Sequence, residues 1–124
     1  MRLQLMQCPL NPPLGVIGRK WTMQIIRDIE TRRATRFGEL FASVSGITRR
    51  MLSTRLNQLS KEGIIEKSAE TQSWKLTQKG RDLLKVLAQV VIFRLKWDAD
   101  KIFNDKHPRT MIEIFPDWNF HLNT

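Results

Sequence analysis

The chain of 124 residues is 41% hydrophobic and 27% charged, which excludes a disordered segment and is typical of one globular domain long enough to bury a core. The net charge is +9, and the first 62 residues hold 11 Lys and Arg against four Asp and Glu. This excess favours a polyanionic partner, nucleic acid first and an anionic membrane surface second, with plain solubility as the alternative.

Several functional classes lack their sequence signatures. No stretch has the length and apolar character of a secretory signal or a membrane span, so we expect a cytoplasmic protein. The single cysteine excludes an intramolecular disulfide. Cys8, His107 and His121 are too few and too scattered for a metal site, and no phosphate-binding glycine loop or supported Ser/His/Asp set occurs. We therefore expect no metal, no cofactor and no enzymatic activity.

The first predicted helices precede the most basic part of the chain. Residues 11–13 read Asn-Pro-Pro and can open a short helix, with the Asn as N-cap. Residues 20–30 predict a clearer helix, because Trp21, Ile25 and Ile29 recur every four residues.

Two helices joined by a tight turn follow. Residues 37–44 carry apolar side chains at helical spacing, and Ser45-Gly46 then breaks the pattern with the backbone freedom that a sharp turn needs. Thr48 stands where an N-cap is wanted, at the start of a second helix over residues 48–62. We expect three leucines to form its buried face: Leu52, Leu56 and Leu59.

The opposite face of the second helix carries cationic and hydrogen-bonding side chains. Arg50, Thr54, Asn57 and Lys61 lie on that face by helical periodicity, and three further polar residues flank it: Arg49, Ser53 and Arg55. Arg and Lys bind phosphates and guanine, Asn can bridge adenine, and hydroxyls bond either bases or phosphates. The pattern predicts a DNA-reading helix-turn-helix, and an ordinary helical hairpin with a solvated basic face is the alternative.

A short β-hairpin is predicted after this helix pair. Residues 64–67 and 73–76 alternate in β-strand fashion around a polar turn, which would form the wing of a winged-helix domain. The turn holds Glu70, and only Lys67 and Lys75 are cationic, so we expect a weak contribution to DNA binding. A hairpin that only completes the core is the alternative.

The longest predicted helix runs over residues 78–101, with Thr77 as its cap. Its main apolar stripe consists of Leu83, Leu84, Leu87, Val90 and Val91. Apolar side chains surround most of this helix, which predicts a two-fold dimer interface, with coverage by the C-terminal tail as the alternative. We assign four residues to that interface: Leu84, Leu87, Val91 and Leu95. The tail over residues 104–124 is rich in large apolar groups, so we expect it to pack on the domain or across the dimer.

A series of ordered motifs carries a family resemblance. The motifs are C-P-L at 8–10, G-x-K-W-T at 18–22, R-F-G-E-L at 36–40, G-I-T-R-R-M-L-S-T-R-L-N-Q-L at 46–59, E-G-I-I-E at 62–66 and L-T-Q-K-G at 76–80. With this series, the chain resembles the HxlR-type winged-helix transcriptional regulators. The predicted wing is shorter than is usual in the family and lacks its Pro-rich, Arg-bearing tip, and the tail is not part of the family pattern.

The resemblance implies a homodimer that binds a pseudo-palindromic DNA operator. It also implies that the family's DNA-reading helix corresponds to Thr48, Arg49, Arg50, Ser53, Thr54 and Arg55. Together with residues from the pattern above, the candidate DNA-binding set is Arg36, Thr48, Arg49, Arg50, Ser53, Thr54, Arg55, Asn57, Lys67 and Lys75.

The resemblance gives Cys8 two interpretations. In some members of the family, a cysteine in this Cys-Pro context senses oxidants or electrophiles, which requires an accessible thiolate in electropositive surroundings. A buried, unreactive thiol is the alternative. With one cysteine in the chain, oxidation could give only an intersubunit disulfide or a mixed adduct.

These observations combine into one prediction of fold and function. The fold is mainly α (α+β), a winged helix-turn-helix with a short two-stranded wing and a long C-terminal dimerisation helix. Residues 1–103 form the DNA-binding and dimerisation domain, and residues 104–124 form the tail. The function is that of a dimeric, sequence-specific regulator, with repression favoured and with a redox, electrophile or small-molecule signal as its effector. The alternative is an interaction module that binds an acidic protein or nucleic acid without sequence specificity.

Overall fold

The computed structural model of the chain describes residues 18–105, 107 and 109–114. Within them, the helices are α1 (Thr22–Thr31), α2 (Phe37–Ser43), α3 (Arg49–Lys61), α4 (Gln78–Trp97), α5 (Ala99–Ile102) and α6 (Met111–Ile114). The strands β1 (Ile65–Lys67) and β2 (Trp74–Leu76) form an antiparallel pair in which Ile65 lies opposite Leu76. This arrangement confirms the predicted winged helix-turn-helix with a two-stranded wing.

The core lies between α1, α3, α4 and the hairpin. Helix α1 contacts α2, α4 and β2, and α3 contacts β1. The predicted inner face of α3 is confirmed, because Leu52, Leu56 and Leu59 are all buried. The hairpin is also tied to the segment before α2, since the Trp74 amide donates to the Thr35 carbonyl at 2.7 Å. This bond joins the wing to the segment that leads into the helix pair.

The ends of α3 match their sequence signals. The Thr48 hydroxyl accepts from the Met51 amide at 3.1 Å, so the predicted N-cap is confirmed. Gly46 in the preceding turn has φ +91°, a left-handed conformation that few other residues adopt without strain. Gly63 has φ +75° and ends α3 in the common left-handed cap.

Helix α4 starts against the wing. The Thr77 hydroxyl accepts from the Gly80 amide at 3.1 Å and donates to the Gly63 carbonyl at 2.5 Å, which confirms Thr77 as the cap. A Cβ atom on Gly80 would overlap the backbone carbonyl of Ile64. The absence of a side chain at Gly80 thus allows α4 to approach β1 closely.

The predicted end of α4 is wrong. The helix ends at Trp97, not near Lys101, and the short helix α5 follows after Asp98. Asp98 has φ −123° and ψ 24°, which is outside the helical region. Its carboxylate lies 2.8 Å from the Arg94 Nε and 3.7 Å from the Lys101 Nζ. Asp98 therefore binds cations on both helices and separates them.

The inward stripe of α4 also differs from the prediction. Leu84, Leu87 and Leu95, three of the residues assigned to a dimer interface, are buried within the single chain, and Val91 packs partly buried against the same core. The three buried leucines are therefore not on the surface that a partner would meet. The apolar side chains of α4 that remain between 43% and 65% exposed are Val86, Val90, Phe93 and Trp97. Because apolar residues surround nearly the whole of this helix, its sequence alone does not show which stripe packs against the core.

Some predictions fall outside the described residues. Cys8, the Asn-Pro-Pro stretch at 11–13, and Phe115, Trp118 and Phe120 of the tail all lie there. Of the tail, α6 contacts α4, and the Arg109 guanidinium bonds Asp105 at 2.6 Å. That bond, with the amide of His107, holds the pKa of the Asp105 carboxyl well below its usual range.

Candidate nucleic-acid interface

The solvent-facing side of α3 presents the predicted polar set. Arg50, Ser53, Thr54, Asn57 and Lys61 are exposed, at the positions that helical periodicity assigns to the face opposite the core. The side chains of Arg50, Ser53, Asn57 and Lys61 have no hydrogen-bond or ion-pair partner among the residues that the structure describes. These donors and acceptors are therefore available to an external partner.

Other residues of the predicted set are engaged inside the chain. The Arg49 guanidinium lies 4.4 Å from the centre of the Phe41 ring, which joins α3 to α2 by a cation–π contact. The Thr54 hydroxyl donates to the Arg50 carbonyl at 2.9 Å, one turn earlier. Arg36 precedes α2, where its backbone amide donates to Glu39 at 2.9 Å while its side chain stays exposed.

Arg55 points away from the outward face. Its Nε donates to the Lys20 carbonyl at 2.9 Å, and its Nη1 donates to the Gln58 side chain at 3.0 Å. The guanidinium therefore ties α3 to the chain just before α1. The sequence pattern places Arg55 at the flank of the polar face, and the structure turns that flank inward.

A second tie joins α1 to the turn between α2 and α3. The Trp21 ring lies so close to Gly46 that a Cβ atom on this glycine would stand 3.3 Å from the ring. Trp21 itself has φ +77°, a left-handed conformation that is unusual for a bulky residue and directs the chain into α1. The turn therefore depends on Gly46 for its left-handed backbone conformation and for the space that a side chain would take from the Trp21 ring.

Asp28 forms a third tie, which the sequence reasoning missed. The side chain is fully buried, and its two oxygens accept from the Arg27 Nε at 2.7 Å and from the Ser43 hydroxyl at 2.6 Å. The Arg32 Nε lies 3.6 Å from the same carboxylate. A buried carboxylate is costly unless it is paired and hydrogen-bonded, so these partners are required. The sequence signal that could have revealed this buried carboxylate was an acidic residue next to Ile29, on the side of α1 predicted to be buried.

The wing cations also have partners on the wing. The Lys75 Nζ lies 3.4 Å from Glu66, and the Lys67 Nζ lies 5.5 Å from the centre of the Trp74 ring. Glu70 stands in the exposed turn between the strands. The weak contribution of the wing to DNA binding stays a prediction, and the Lys75 pair lowers the positive charge that the wing presents.

Two other kinds of site were sought in the described part of the chain. Over these residues, no three or more His, Cys, Asp and Glu side chains come together as metal ligands would. None of the helices in this part has both the length and the hydropathy to traverse a bilayer.

The scaffold and the surface together define the class. An exposed cationic helix follows a tight turn and is followed by a short antiparallel wing. Three contacts join α1 and the two residues before it to the helix pair. These are the features of a winged helix-turn-helix, in which the second helix of the pair enters the DNA major groove. The described part of the chain therefore has the architecture of a winged helix-turn-helix DNA-binding protein.

Comparison with known families identifies the chain as a helix-turn-helix transcriptional regulator. The family described as HxlR-like helix-turn-helix matches residues 16–101, and the chain belongs to this family. The HTH-type transcriptional regulator YdzF of Bacillus subtilis is 30% identical over 89 residues, which cover 68% of this chain and 82% of YdzF. The regulator MJ0925 of Methanocaldococcus jannaschii is 30% identical over 106 residues, covering 82% and 92% of the two chains.

Solved structures show the same fold. A MarR-family protein from Porphyromonas gingivalis W83 aligns with a TM-score of 0.66 at 26% identity, covering 78% of this chain and 99% of that one. The reduced form of the transcriptional regulator YodB from Bacillus subtilis aligns with a TM-score of 0.62 at 26% identity, covering 75% and 96%. YodB has also been crystallised in a quinone-bound form.

Proposed function

We propose that this regulator is a homodimer that recognises a pseudo-palindromic operator with α3 and acts as a repressor in the cytoplasm. The observation that carries the proposal is the row of exposed α3 side chains without internal partners, chiefly Arg50, Ser53 and Asn57. Arg and Asn are the side chains that read guanine and adenine by paired hydrogen bonds in the major groove. Arg36, Arg49 and the exposed hydroxyl residues then contact phosphates, and Arg55 positions α3.

The proposed dimer surface is the exposed stripe of α4. Val86, Val90, Phe93 and Trp97 follow one another at spacings of four, three and four residues, the pattern of a helix that packs against a second helix. A two-fold axis along this stripe would present two copies of α3 to half-sites about 34 Å apart, one turn of DNA. This assignment replaces the buried leucines with side chains that a partner can reach.

Sequence preference is the decisive test of this function. Fluorescence anisotropy should be measured with the DNA upstream of the protein's own gene, in an excess of random-sequence competitor. A specific regulator should prefer its site by about 10³-fold or more. Equal affinity for both DNAs, with a log–log salt slope of about −0.9 per neutralised phosphate, would support the nonspecific interaction module instead.

Arg50→Ala separates base reading from phosphate binding. If Arg50 reads a base, the substitution should cost about 1–3 kcal/mol for the preferred site and reduce its advantage over random DNA. Lys85→Ala is the matched control, because it removes one positive charge from the exposed surface of α4. An equal loss on both DNAs would assign Arg50 to a phosphate.

The oligomeric state tests the α4 stripe. Replacing both Phe93 and Trp97 with Gln should convert a dimer to a monomer in sedimentation equilibrium and weaken operator binding, while leaving the melting of a single chain nearly intact because both side chains are exposed. Lys85→Ala changes an exposed residue about 100° round the same helix from Val86 and should leave the dimer unchanged. An unchanged dimer in the double variant would remove the stripe from the interface.

We also propose that Cys8, which lies outside the described residues, responds to electrophiles. The support is the similarity to YodB, whose structures include quinone-bound and diamide-treated forms. Diamide should alter operator binding by the wild-type protein and have no effect on Cys8→Ser. An undiminished diamide effect in that variant would eliminate the cysteine as the sensor.

A further inference from the structure

A cavity of about 340 Å³ lies between α1, α4 and the segments that follow α4. Eight of the eleven described residues that line it are apolar, among them Met23, Leu87 and Val91. The volume falls within the range of small-molecule sites, about 300–1,000 Å³. The lining contains no residue of α3, so a ligand in the cavity would leave the DNA-reading face uncovered.

The polar part of the lining consists of Gln24, Arg27 and Arg94, of which the two arginines are cationic. Neither Asp nor Glu occurs among the described lining residues. The Arg94 Nε lies 2.8 Å from the Asp98 carboxylate, and the Arg27 Nε donates to Asp28 at 2.7 Å. Each guanidinium therefore pairs with one carboxylate of the chain through its Nε.

We propose that this cavity binds an organic carboxylate with a compact apolar body, and that binding is transmitted to the helix-turn-helix through Arg27, Asp28 and Ser43. The apolar lining receives the body of the ligand, and the two arginines select the negative charge. The consequence for DNA binding rests on the proposed function, whereas the binding site itself does not.

The transmission follows contacts that are already described. Arg27 lines the cavity on α1, Asp28 is the next residue, and the Ser43 hydroxyl bonds the other oxygen of the same carboxylate at 2.6 Å. Ser43 is the last residue of α2. A ligand carboxylate that draws the Arg27 guanidinium toward the cavity weakens its bond to Asp28, and the balance of charge on the buried carboxylate shifts toward Ser43. This shift changes the strength of the hydrogen bond at the end of α2, three residues before Gly46.

The binding step is tested with 1-naphthoate and its neutral analogue 1-naphthalenemethanol, by calorimetry on the full chain. We expect one naphthoate per chain and at least ten-fold weaker binding of the alcohol. Arg27→Met should remove most of that preference, and Lys85→Met, a loss of charge outside the cavity, should retain it. Met23→Trp, which fills the cavity from an exposed position, should abolish binding of both compounds.

Several results would overturn the site. Absence of naphthoate binding to the wild-type chain would mean that the cavity is closed, filled by the chain's own residues 115–124 or covered by a second copy. Unchanged naphthoate binding in Met23→Trp would place the ligand elsewhere. Because Arg27→Met also removes a partner of buried Asp28, its fold is checked by circular dichroism, and Met23→Trp tests the site independently of that pair.

The coupling step is tested with Ser43→Ala. Saturating naphthoate should weaken wild-type binding to the preferred DNA by at least about five-fold, and the DNA should weaken naphthoate binding by the same factor. Ser43→Ala removes a donor from buried Asp28, so its fold is checked by circular dichroism and its own DNA affinity without ligand is the reference. The variant should bind naphthoate as the wild type does, and naphthoate should change its DNA affinity by less than two-fold. A full effect in this variant would refute the route through Ser43.

A readout without DNA keeps the two proposals separate. If the protein prefers no DNA sequence, the proposed function fails, yet hydrogen exchange can still follow the amides of α2. Naphthoate should slow exchange at the end of α2 in the wild type, because the Ser43 bond to Asp28 becomes stronger, and leave it unchanged in Ser43→Ala. Naphthoate binding without any change in α2 exchange would refute the coupling alone.

Discussion

Two glycines in first turns of helices should respond to the same substitution with opposite signs. Gly80 lies in the first turn of α4 and Gly38 in the first turn of α2. A Cβ atom on Gly80 would overlap the Ile64 carbonyl oxygen and stand 3.2 Å from the Leu76 Cβ, whereas a Cβ atom on Gly38 would have nothing within 4 Å. The pair therefore separates steric overlap from helix propensity.

The magnitudes follow from those contacts. Overpacking against a backbone atom costs about 1–3 kcal/mol, since a carbonyl cannot rotate away as a side chain can. Replacing Gly by Ala in a helix gains up to about 1 kcal/mol. We therefore expect Gly80→Ala to lower the free energy of unfolding by about 1–2 kcal/mol, and Gly38→Ala to raise it by about 0.5–1 kcal/mol.

Urea denaturation followed by circular dichroism measures both changes. The protein concentration must be held equal, because any dimer would add a concentration-dependent contribution to the apparent stability. A change of 1 kcal/mol corresponds to a melting shift of about 4 °C in a chain of this size. If Gly80→Ala proved as stable as Gly38→Ala, the close approach of α4 to β1 would be refuted.

Two further changes test local hydrogen bonding. Thr22 is fully buried, and its hydroxyl has no hydrogen-bond partner in the part of the chain that the structure describes. Thr22→Val should therefore raise the free energy of unfolding by about 1 kcal/mol. A lower free energy of unfolding would mean that the hydroxyl has a partner outside that part. Thr48→Ala removes the hydroxyl that caps the Met51 amide and should lower the free energy of unfolding by about 1 kcal/mol. Thr54→Ala inside α3 should leave the free energy of unfolding unchanged. Equal losses of stability for the two variants in thermal melts would argue against the cap.

The sequence predicted those elements whose signals are local. Thr48 and Thr77 act as caps within their own first turns, and Gly46 supplies the conformation of its own turn, so neighbouring residues were enough to identify them. The inner face of α3 was also predictable, because a polar face stands opposite its leucines. The exposed candidates Arg50 and Asn57 follow from the same periodicity.

The missed features depend on distant partners or on a weak pattern. Arg55 is drawn inward by a carbonyl 35 residues earlier in the chain, and Asp28 is bonded by a serine 15 residues later. Neither pairing has a sequence spacing that marks it. The inward stripe of α4 was misassigned in part because its apolar residues surround the helix, and its end was missed because Asp98 bonds cations on both sides.

The three ties that join residues 20–31 to the helix pair limit how this protein can be re-engineered. Exchanging residues 37–61 for the equivalent stretch of a relative would transfer the exposed face of α3, but also Ser43, Gly46 and Arg55, whose partners remain on the recipient's α1 side. A graft that lacks a hydroxyl at position 43 would leave the buried Asp28 short of a donor. Helix α3 therefore cannot be exchanged alone. A segment transferred between relatives should begin at Lys20, so that it includes the partners of these three residues.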